Sequence, residues 1–458
     1  MEPDDRPVGS GWSAGALGAT ALGLVLVVAA GIWWLTRPDE PAAPTAPTAS
    51  VAIPVVELPD LEVRLGGMTT TFEISERSFN LSNRNMGLEA QRTFGDSNDV
   101  FEGDFTTDQG LGPRYSATRC TGCHINNGRS PVPDSGIVDG SLFTALPADV
   151  PTRELIGDHF DSFSVTGSHP DGRVLVTWEE SSVEYPDGRT VTLRSPVVTI
   201  ADTDPEARLL LRVAPPVIGL GLLEAVPEDE LIAASDPDDL DGDGISGRVR
   251  MVVDLRTGEP VAGRFGWRAT TPSVLAQAAA AFANDMGILS SPLVGPDEAE
   301  IDDETLELAA FYARGLAVPA RRKTDDPDVR RGAAIFESVG CASCHTPNLR
   351  TGNVEMASVS AQSIWPYTDL LVHDMGEGLA APTFQSGIEP GEWRTPPLWG
   401  LGLNSLVNGV TTLLHDGRAR SIEEAILWHG GEGERARSAF MALVPGDRAD
   451  LLEFLENL

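Results

Sequence analysis

A long uncharged stretch opens the chain. No charged residue occurs between positions 7 and 36, and the 22 residues from Ala14 to Leu35 are apolar apart from Thr20. As a helix this run would be about 33 Å long, enough to cross the hydrocarbon core of a bilayer. A cleaved signal peptide usually has a shorter apolar core and a basic start. We therefore predict a membrane anchor over residues 1–37, followed by a Pro/Ala/Thr linker at 38–50.

The middle of the chain changes to a strand pattern. Residues 173–178 and 190–194 are rich in β-branched and aromatic side chains. Between them, Pro-Asp-Gly at 186–188 is a turn sequence. Two such runs on either side of a turn predict a β-hairpin.

Helical spacing dominates the last third of the chain. Apolar residues recur at helical intervals in 304–316, in 331–339 and in 451–458. The stretch 422–429 has the same character, and it follows Ser421, a good N-cap, with glutamates in its first turn. We predict a helix in each of these four segments.

Two copies of the pattern Cys-x-x-Cys-His use all four cysteines, at residues 120–124 and 341–345. On a helix, positions i, i+3 and i+4 share one face. Both thiols can then bond to one porphyrin while the imidazole binds its iron. A zinc half-site or a reactive dithiol also uses Cys-x-x-Cys, but neither explains a histidine in the same place twice. We predict two covalently bound haem c groups, attached through Cys120, Cys123, Cys341 and Cys344, with His124 and His345 as iron ligands.

The two motifs suggest two haem domains. A helix ahead of the second motif and a terminal helix that crosses it would form a cytochrome c domain over residues 326–458. Residues 51–325 would form an N-terminal haem domain that carries the hairpin as an insertion. The predicted fold class is mainly α, with two cytochrome c-like haem domains, a β-containing insertion and an N-terminal transmembrane helix. Because thioether bonds to haem are made outside the cytoplasmic membrane, we expect a single-pass protein with its haem domains on the periplasmic side.

The chain is strongly acidic. It has 68 acidic and 33 basic side chains, a net charge of −35 and a pI near 4.4. This balance argues against nucleic acid as a partner, because phosphate binding needs clustered Lys and Arg. It favours a basic or neutral electron-transfer partner, and it is equally compatible with an acidic surface that maintains solubility.

A run of alternating carboxylates resembles the start of a calcium loop. Asp239, Asp241 and Asp243 stand at i, i+2 and i+4, followed by glycine. The twelfth position is Arg250 rather than the bidentate glutamate, which excludes an ordinary EF-hand. A looser calcium site that adds Asp236 and an acidic solvated turn both fit the pattern.

Six further segments carry longer motifs. They are Gly-Leu-Gly-Leu-Leu-Glu at 219–224, Asp-Gly-Asp-Gly-Ile-Ser-Gly-Arg at 241–248, Gly-Arg-Phe-Gly-Trp at 263–267, His-Asp-Met-Gly-Glu-Gly at 373–378, Trp-Arg-Thr-Pro-Pro-Leu-Trp-Gly at 393–400 and Leu-His-Asp-Gly-Arg at 414–418. With the cysteine motifs, they make roughly residues 60–458 resemble the di-haem oxidoreductase family of peroxidases. Its relatives are bacterial di-haem cytochrome c peroxidase and MauG.

This resemblance implies a division of labour between the haems. The C-terminal haem, held by His345, would pass electrons, and the N-terminal haem, held by His124, would expose its iron to peroxide. In the relatives the distal ligand of the electron-transfer haem lies in the helix after a His-Asp-Gly-like segment, where this chain has His429. Such bis-His ligation would lower the reduction potential relative to His/Met. Met375 is the alternative ligand.

The resemblance also suggests roles around the peroxide site. In the relatives a glutamate after a Pro-containing loop acts as the acid/base, and Glu224 is the matching residue. His159 and His169 follow the first motif and are candidates for a sixth ligand of the N-terminal haem, although both also fit surface loops. Arg394 and Arg418 are candidates for contacts with haem propionates.

Two classes of function follow. The first is a di-haem peroxidase-like enzyme that reduces hydrogen peroxide, or acts on another oxidisable substrate, with electrons from a small cytochrome c or cupredoxin. A MauG-like variant would oxidise a residue of another protein. The second is a non-catalytic di-haem electron carrier, for which the seven histidines supply enough axial ligands. A thiol oxidoreductase, a label used for this family, is disfavoured because all four sulfurs are assigned to thioethers.

Overall fold

The computed structural model describes residues 60–139, 144–156, 158–201 and 207–458. These residues belong to one unit that extends from Ala49 to Leu458. The predicted anchor and linker lie outside the described residues. Within the described ranges, no helix is both long and apolar enough to span a membrane.

The fold class differs from the sequence-based expectation. Helices account for 35% and strands for 17% of the structure, so the protein is a mixed α and β structure. The prediction of a mainly α fold was therefore wrong, whereas the transmembrane helix that it included falls on residues outside the described ranges. The reason is that helical periodicity is conspicuous in the last third of the chain, whereas three of the five strands in the main sheet have only three to five residues. Strands this short leave almost no alternating pattern.

Most helices are short and lie in the second half of the chain. Among the described residues the α-helices are α1 (Leu88–Glu102), α2 (Cys120–Cys123), α3 (Val150–Ile156), α4 (Leu220–Glu224), α5 (Glu228–Ala234), α6 (Val274–Met286), α7 (Ser291–Val294), α8 (Asp303–Gly315), α9 (Pro327–Ser338), α10 (Asn404–Asn408), α11 (Ile422–Leu427), α12 (Glu434–Ala442) and α13 (Pro445–Glu456). Single 3-10 turns occur at Asp60–Val63, Gly67–Thr69, Thr107–Gln109, Ile125–Asn127, Cys341–Ser343, Ala357–Val359, Leu401–Leu403 and Gly431–Gly433.

The strands of the described residues form one five-stranded sheet and four small pairs. They are β1 (Arg114–Tyr115), β2 (Gly136–Val138), β3 (Thr144–Pro147), β4 (Phe163–Ser164), β5 (Val174–Glu184), β6 (Thr190–Ile200), β7 (Arg208–Arg212), β8 (Met251–Val253), β9 (Pro260–Ala262), β10 (Leu349–Arg350), β11 (Ser363–Ile364), β12 (Val372–Asp374) and β13 (Glu392–Arg394). The main sheet is antiparallel with strand order β2-β5-β6-β7-β3, and the pairs are β1-β4, β8-β9, β10-β11 and β12-β13.

The largest hydrophobic core packs helices from both sides of the predicted domain boundary at 325/326. Helix α8 is capped by Asp302, whose side chain accepts a hydrogen bond from the amide of Thr305. The ring of Tyr312, on this helix, packs on two aromatic rings of α1, with centroid distances of 4.9 Å to Phe94 and 4.6 Å to Phe101. The predicted division into two haem domains stays a prediction.

The predicted hairpin is confirmed and is longer than expected. Strands β5 and β6 pair over eleven residues each. The end of the hairpin that pairs with the other strands of the sheet packs into a separate core, which includes Val174, Val176, Val198 and Ile200. The other end, with Tyr185 beside the turn, reaches the main core. The hairpin therefore joins two hydrophobic cores.

Helices α9 and α13 cross at a glycine. A Cβ atom on Gly332 would lie 2.0 Å from the carbonyl oxygen of Asp450 and 2.6 Å from the Cβ of Phe454. Only a residue without a side chain allows this approach of the two backbones. The predicted crossing of a helix before the second motif with the terminal helix is confirmed.

We expect the Gly332→Ala variant to lose about 1–3 kcal/mol of unfolding free energy, because the added methyl group overpacks the crossing. Chemical denaturation monitored by far-UV circular dichroism measures the change. The matched control is Gly446→Ala in α13, where an added Cβ meets no atom within 4 Å. Equal midpoints for Gly332→Ala and wild type would show that the crossing is not as tight as described.

Candidate functional site

Both Cys-x-x-Cys-His motifs line one cavity. Its volume is about 1520 Å³, and all four cysteines and both motif histidines are in its wall. Pockets for one small ligand typically have about 300–1,000 Å³, so this cavity has room for more than one such group. The first motif forms helix α2, and the second forms a single 3-10 turn directly after α9.

The two motif histidines are held in the same way. The Nδ1 atom of His124 lies 2.9 Å from the carbonyl oxygen of Pro215, and Nδ1 of His345 lies 2.9 Å from that of Tyr367. Since a carbonyl oxygen only accepts, Nδ1 carries the proton in both rings and Nε2 keeps its lone pair. Burial lowers the pKa of each imidazole to about 4, so both are neutral at pH 7. A neutral imidazole oriented through Nδ1 is the usual form of a metal-binding histidine.

Tyr367 provides its carbonyl from an unusual backbone conformation. Its φ angle is +55°, which is rare for a residue with a side chain. The buried ring fixes this geometry, because the hydroxyl bonds to Glu62, and Glu62 pairs with the buried Arg321 at 2.5 Å. Phe336 of α9 packs on the ring at 5.7 Å. The carbonyl group that holds His345 is thus fixed in place by the contacts of the Tyr367 ring with Glu62 and Phe336.

Two candidate distal ligands lie together on the C-terminal side. His429 lines the cavity with its Nδ1 2.7 Å from the carbonyl oxygen of Ala425, so its Nε2 also keeps a lone pair. Electrostatic interaction with His429 adds to the larger effect of burial in lowering the pKa of His345, which places the two rings near each other. A Cβ atom on Gly433 would lie 3.1 Å from both Met375 Cε and His429 Cβ. The structure therefore brings His345, His429 and the alternative ligand Met375 to one place.

The residues predicted to lie at the N-terminal haem do not all reach the cavity. His159 is half-buried and lines the cavity, whereas His169 is exposed and is not among the described residues that line it. Glu224 is also absent from the described lining residues. Its carboxylate pairs with Arg314 at 2.5 Å and accepts the amide of Val274 at 2.7 Å, at the start of α6. The catalytic role of Glu224 stays a prediction.

A group of buried arginines in the cavity wall is not apparent from the sequence. We call Arg129, Arg212 and Arg268 the cationic wall. Burial lowers the pKa of Arg212 to about 9 and those of Arg129 and Arg268 to about 10. Among the described residues, no carboxylate oxygen lies within 4 Å of these three guanidinium groups. The cavity lining as described holds eight arginines, at 119, 129, 153, 212, 268, 394, 435 and 437, and five carboxylates, at 158, 243, 285, 432 and 434.

The cationic wall surrounds an aromatic pair. The ring of His415 stacks on Trp393 with centroids 3.8 Å apart, and Arg268 lies 4.1 Å from the Trp393 centroid. The buried Nε2 of His415 is 3.4 Å from Asp416 Oδ2 but makes no hydrogen bond. Asp416 instead forms an ion pair with Arg418. Asp416, the buried carboxylate beside this aromatic pair, is therefore already paired.

The two arginines suggested by the family resemblance lie at different depths. Arg394 lines the cavity, whereas Arg418 is not among the described residues that do so. The Arg418 guanidinium bonds to Asp416 and to the carbonyl oxygen of Gly378. Of the two, Arg394 is the better placed for a group in the cavity.

A histidine between two carboxylates closes the C-terminal side. The ring of His373 contacts Asp369 through Nε2 at 2.9 Å and Glu432 through Nδ1 at 2.7 Å. Although burial lowers its pKa, interactions with Asp369, Cys344 and Glu432 raise it to about 12, so His373 is protonated at pH 7. Glu432 also accepts a hydrogen bond from the Ser246 hydroxyl at 2.9 Å. This bond connects the site to the loop that contains Asp239, Asp241 and Asp243, which we call the carboxylate loop.

The carboxylate loop brings Asp239, Asp241 and Asp243 together, with one oxygen of each within 4.8 Å of the others. The loop is held by its own side chains. Asp239 accepts the amide of Gly244 at 3.1 Å, and Asp236 accepts the amide of Leu240 at 2.8 Å. The three predicted ligands thus share one location, while Asp236 supports the backbone beside them.

The sequence also gives no sign of a half-buried carboxylate beside the first motif. Asp285, in α6, lines the cavity and lies 3.3 Å from the Thr144 hydroxyl. Burial raises the pKa of Asp285 to about 6. Its charge, second to burial, contributes to the raised pKa of Cys120 and Cys123. An aspartate in a helical pattern gives no sign that tertiary packing will bury it.

Comparison with known proteins identifies a family. A family model described as "Di-haem oxidoreductase, putative peroxidase" matches residues 156–303 and 294–458 and confirms the resemblance seen in the motifs. Among solved structures, hydrazine synthase of Kuenenia stuttgartiensis, pressurised with 20 bar xenon, has 14% identity and a TM-score of 0.36, covering 92% of this chain and 100% of that chain. A likeness at this TM-score carries no argument about function. No curated protein matches the chain.

We expect stability to fall as Asp285 ionises. The pKa of this carboxyl is 3.8 in a model peptide and about 6 in the fold. The unfolded chain therefore releases the proton first, and stability is lost as pH rises between these two values. Asp285→Asn removes this loss, so the variant should be more stable than wild type at pH 7.5 and equal to it below pH 3.8.

Denaturation midpoints between pH 3.5 and pH 8 measure this difference. The matched control is Asp108→Asn at an exposed site, which should follow the wild-type curve. Parallel curves for Asp285→Asn and wild type would contradict the assignment.

Proposed function

The chain belongs to the di-haem oxidoreductase family, and on that basis we propose that it is a di-haem c oxidoreductase of the peroxidase type. The observation that carries this proposal is the pairing of two Cys-x-x-Cys-His motifs on one cavity, each histidine fixed through Nδ1. Cys120 and Cys123 would hold one haem, and Cys341 and Cys344 the other. When bound, the haems supply iron that binds peroxide and transfers electrons.

The cationic wall supports the presence of two haems. Buried guanidinium groups without a carboxylate partner are costly. Each haem carries two propionates, and these acids would neutralise Arg129, Arg212 and Arg268. Arg394, also on the cavity, adds a further donor. An acidic protein that concentrates arginines in one cavity is well suited to an acidic cofactor.

The two sides of the cavity support different roles. On the C-terminal side, His345 and His429 each offer a neutral Nε2, which suits a six-coordinate electron-transfer haem. On the N-terminal side, His124 is the proximal ligand and peroxide is the proposed substrate. Glu224 remains the candidate that moves a proton there. Its pair with Arg314 would have to open first, because the carboxylate is not in the described cavity wall.

A di-haem electron carrier is the second candidate. It is favoured by His159, a half-buried histidine on the same cavity whose pKa is lowered by burial. A second axial ligand on the N-terminal haem would leave no site for peroxide. The MauG-like alternative, oxidation of a residue in another protein, would use the same N-terminal haem iron as the peroxidase.

We further propose a small electron-donor protein of the cytochrome c or cupredoxin type and an extracytoplasmic location. The net charge of −35 supports a basic or neutral donor. The location follows from the proposed covalent attachment of haem, because thioether bonds to haem are formed on the outer side of the membrane.

Low-temperature EPR of the fully oxidised protein, with haem content quantified in the same sample, tests the proposal. We expect one high-spin and one low-spin haem per chain, since His345 and His429 both have Nδ1 held by a backbone carbonyl on the C-terminal side of the cavity. Two low-spin haems before and after one-electron reduction would favour the electron carrier. A chain without covalent haem would contradict both candidates.

Calcium binding by the carboxylate loop is also proposed. We expect the haem-loaded protein, after treatment with a chelator, to bind Ca²⁺ with a Kd of about 0.1–1 mM, the range of extracellular modules. Asp241→Asn should weaken binding about tenfold, since it removes one charged ligand, whereas the neighbouring Asp238→Asn should not. Isothermal titration calorimetry measures both. Absence of binding heat in the wild type would show that the loop is only an acidic turn.

A further inference from the structure

The hairpin of β5 and β6 extends far beyond the sheet that contains it. The neighbouring strands β2 and β7 cover only its base, at Val174–Val176 and at Val198–Thr199. From residue 177 to residue 197 the hairpin is a two-stranded ribbon. Its arms would reach about 27 Å at 3.4 Å per residue. A free ribbon of this kind is at best marginally stable in water, so its tip needs a partner.

The tip is anchored in the C-terminal part of the chain. Tyr185 is 1% exposed, its ring packs against Phe440 with centroids 6.3 Å apart, and Arg448 lies 4.4 Å from its centroid. The Tyr185 hydroxyl donates to Glu423 at 2.7 Å. Arg189 holds the same carboxylate with two bonds of 2.6 Å. Tip residues from both arms therefore meet at one glutamate.

Two further bonds join the ribbon to the segment before Glu423. Arg420 donates to the carbonyl oxygen of Thr192 at 2.6 Å, and Arg194 donates to that of Arg418 at 3.4 Å. The ribbon thus contacts the chain at residues 418, 420 and 423. His415 precedes this segment and His429 follows it, and both line the cavity.

Helix α11 cannot hold its own position. It has six residues, from Ile422 to Leu427, and isolated helices shorter than about 12 residues are marginal in water. Its location is therefore set by tertiary contacts. The ribbon fixes its first turn through Glu423, and His429 stands just beyond its last turn.

We propose that the ribbon is a positioning element for His429. Tyr185 and Arg189 hold Glu423, Glu423 fixes the start of α11, and the short rigid helix places the imidazole in the cavity. The inference rests on the proposed function, in which His429 is the distal ligand of the C-terminal haem. It gives the β insertion, which is no part of a minimal cytochrome c domain, the role of positioning the axial ligand of that haem.

The test uses the haem-loaded protein with Arg189→Gln and Glu423→Gln, made singly and together. If the ribbon positions His429, dissociation of this ligand becomes easier and cyanide competes better for the C-terminal iron. We expect the apparent Kd for cyanide at the low-spin haem, followed by EPR, to fall about two- to fivefold, as a loss of up to about 1 kcal/mol for the ion pair implies. Arg189→Lys keeps the charge and should restore part of the wild-type value.

The control is an ion pair of similar exposure elsewhere in the same region. Arg331 and Asp450 join α9 to α13 at 2.8 Å, with side chains 37% and 13% exposed, against 49% and 15% for Arg189 and Glu423. Arg331→Gln and Asp450→Asn should leave cyanide affinity unchanged. An equal shift of cyanide affinity in these controls would show that the Arg189 variant acts by lowering the general stability of the fold. That result would overturn the inference.

Two further measurements separate this inference from the proposed function. His429→Ala should abolish the low-spin signal of the C-terminal haem; if it does not, the proposed ligand is wrong. If it does, but Arg189→Gln and Glu423→Gln change neither cyanide affinity nor amide hydrogen exchange at residues 422–429, the ligand stands and the inference fails. Faster exchange at 422–429 in these two variants, with wild-type exchange in the Arg331→Gln control, supports it.

Discussion

The site depends on a simple constraint: a neutral histidine binds a metal through Nε2 only when its proton is on Nδ1. A hydrogen-bond acceptor beside Nδ1 fixes that tautomer. Two backbone carbonyls meet this requirement, at Pro215 and Tyr367. Neither is near its histidine in sequence, since the Pro215 carbonyl is 91 residues from His124. The left-handed conformation of Tyr367 then has a reason, because backbone strain of this kind persists only where surrounding contacts enforce it. The buried contacts of its ring with Glu62 and Phe336 provide that enforcement.

A second constraint is electrostatic. The chain carries about two acidic side chains for each basic one, yet its large cavity has more arginines than carboxylates in the described wall. Placing positive charge inside an acidic shell produces a strong inward field for anions. In the proposed function, this charge distribution would hold an acidic cofactor inside the cavity and favour a basic or neutral electron donor at the outer surface.

Much of the site could be predicted from the sequence because its chemistry is local. The two cysteine motifs, the capped helix before His429 and the carboxylate loop each lie within a dozen residues, and short-range spacing determines them. Arg129, Arg212, Asp285 and the Nδ1 partners could not be found in this way. Their roles come from burial and from contacts between distant segments, which no periodicity records.

The prediction of the fold class was wrong for a related reason. Helical patterns persist over many residues, whereas β2, β3 and β7 are only three to five residues long and become a sheet through pairing with β5 and β6. Glu224 illustrates the same limit for side chains. The family resemblance makes it a candidate at the peroxide site, and the tertiary structure pairs its carboxylate with Arg314 and with the amide of Val274 at the start of α6.

The ribbon has a consequence for how the chain is assembled. Tyr185 and Glu423 are 238 residues apart, so their contact closes a very large loop. Contacts of such high sequence separation form late, after local structure has already appeared. A chain synthesised only as far as residue 420 would contain the whole sheet and both cysteine motifs, but the ribbon tip would have no glutamate to hold. Completion of the cavity therefore waits for the last tenth of the polypeptide.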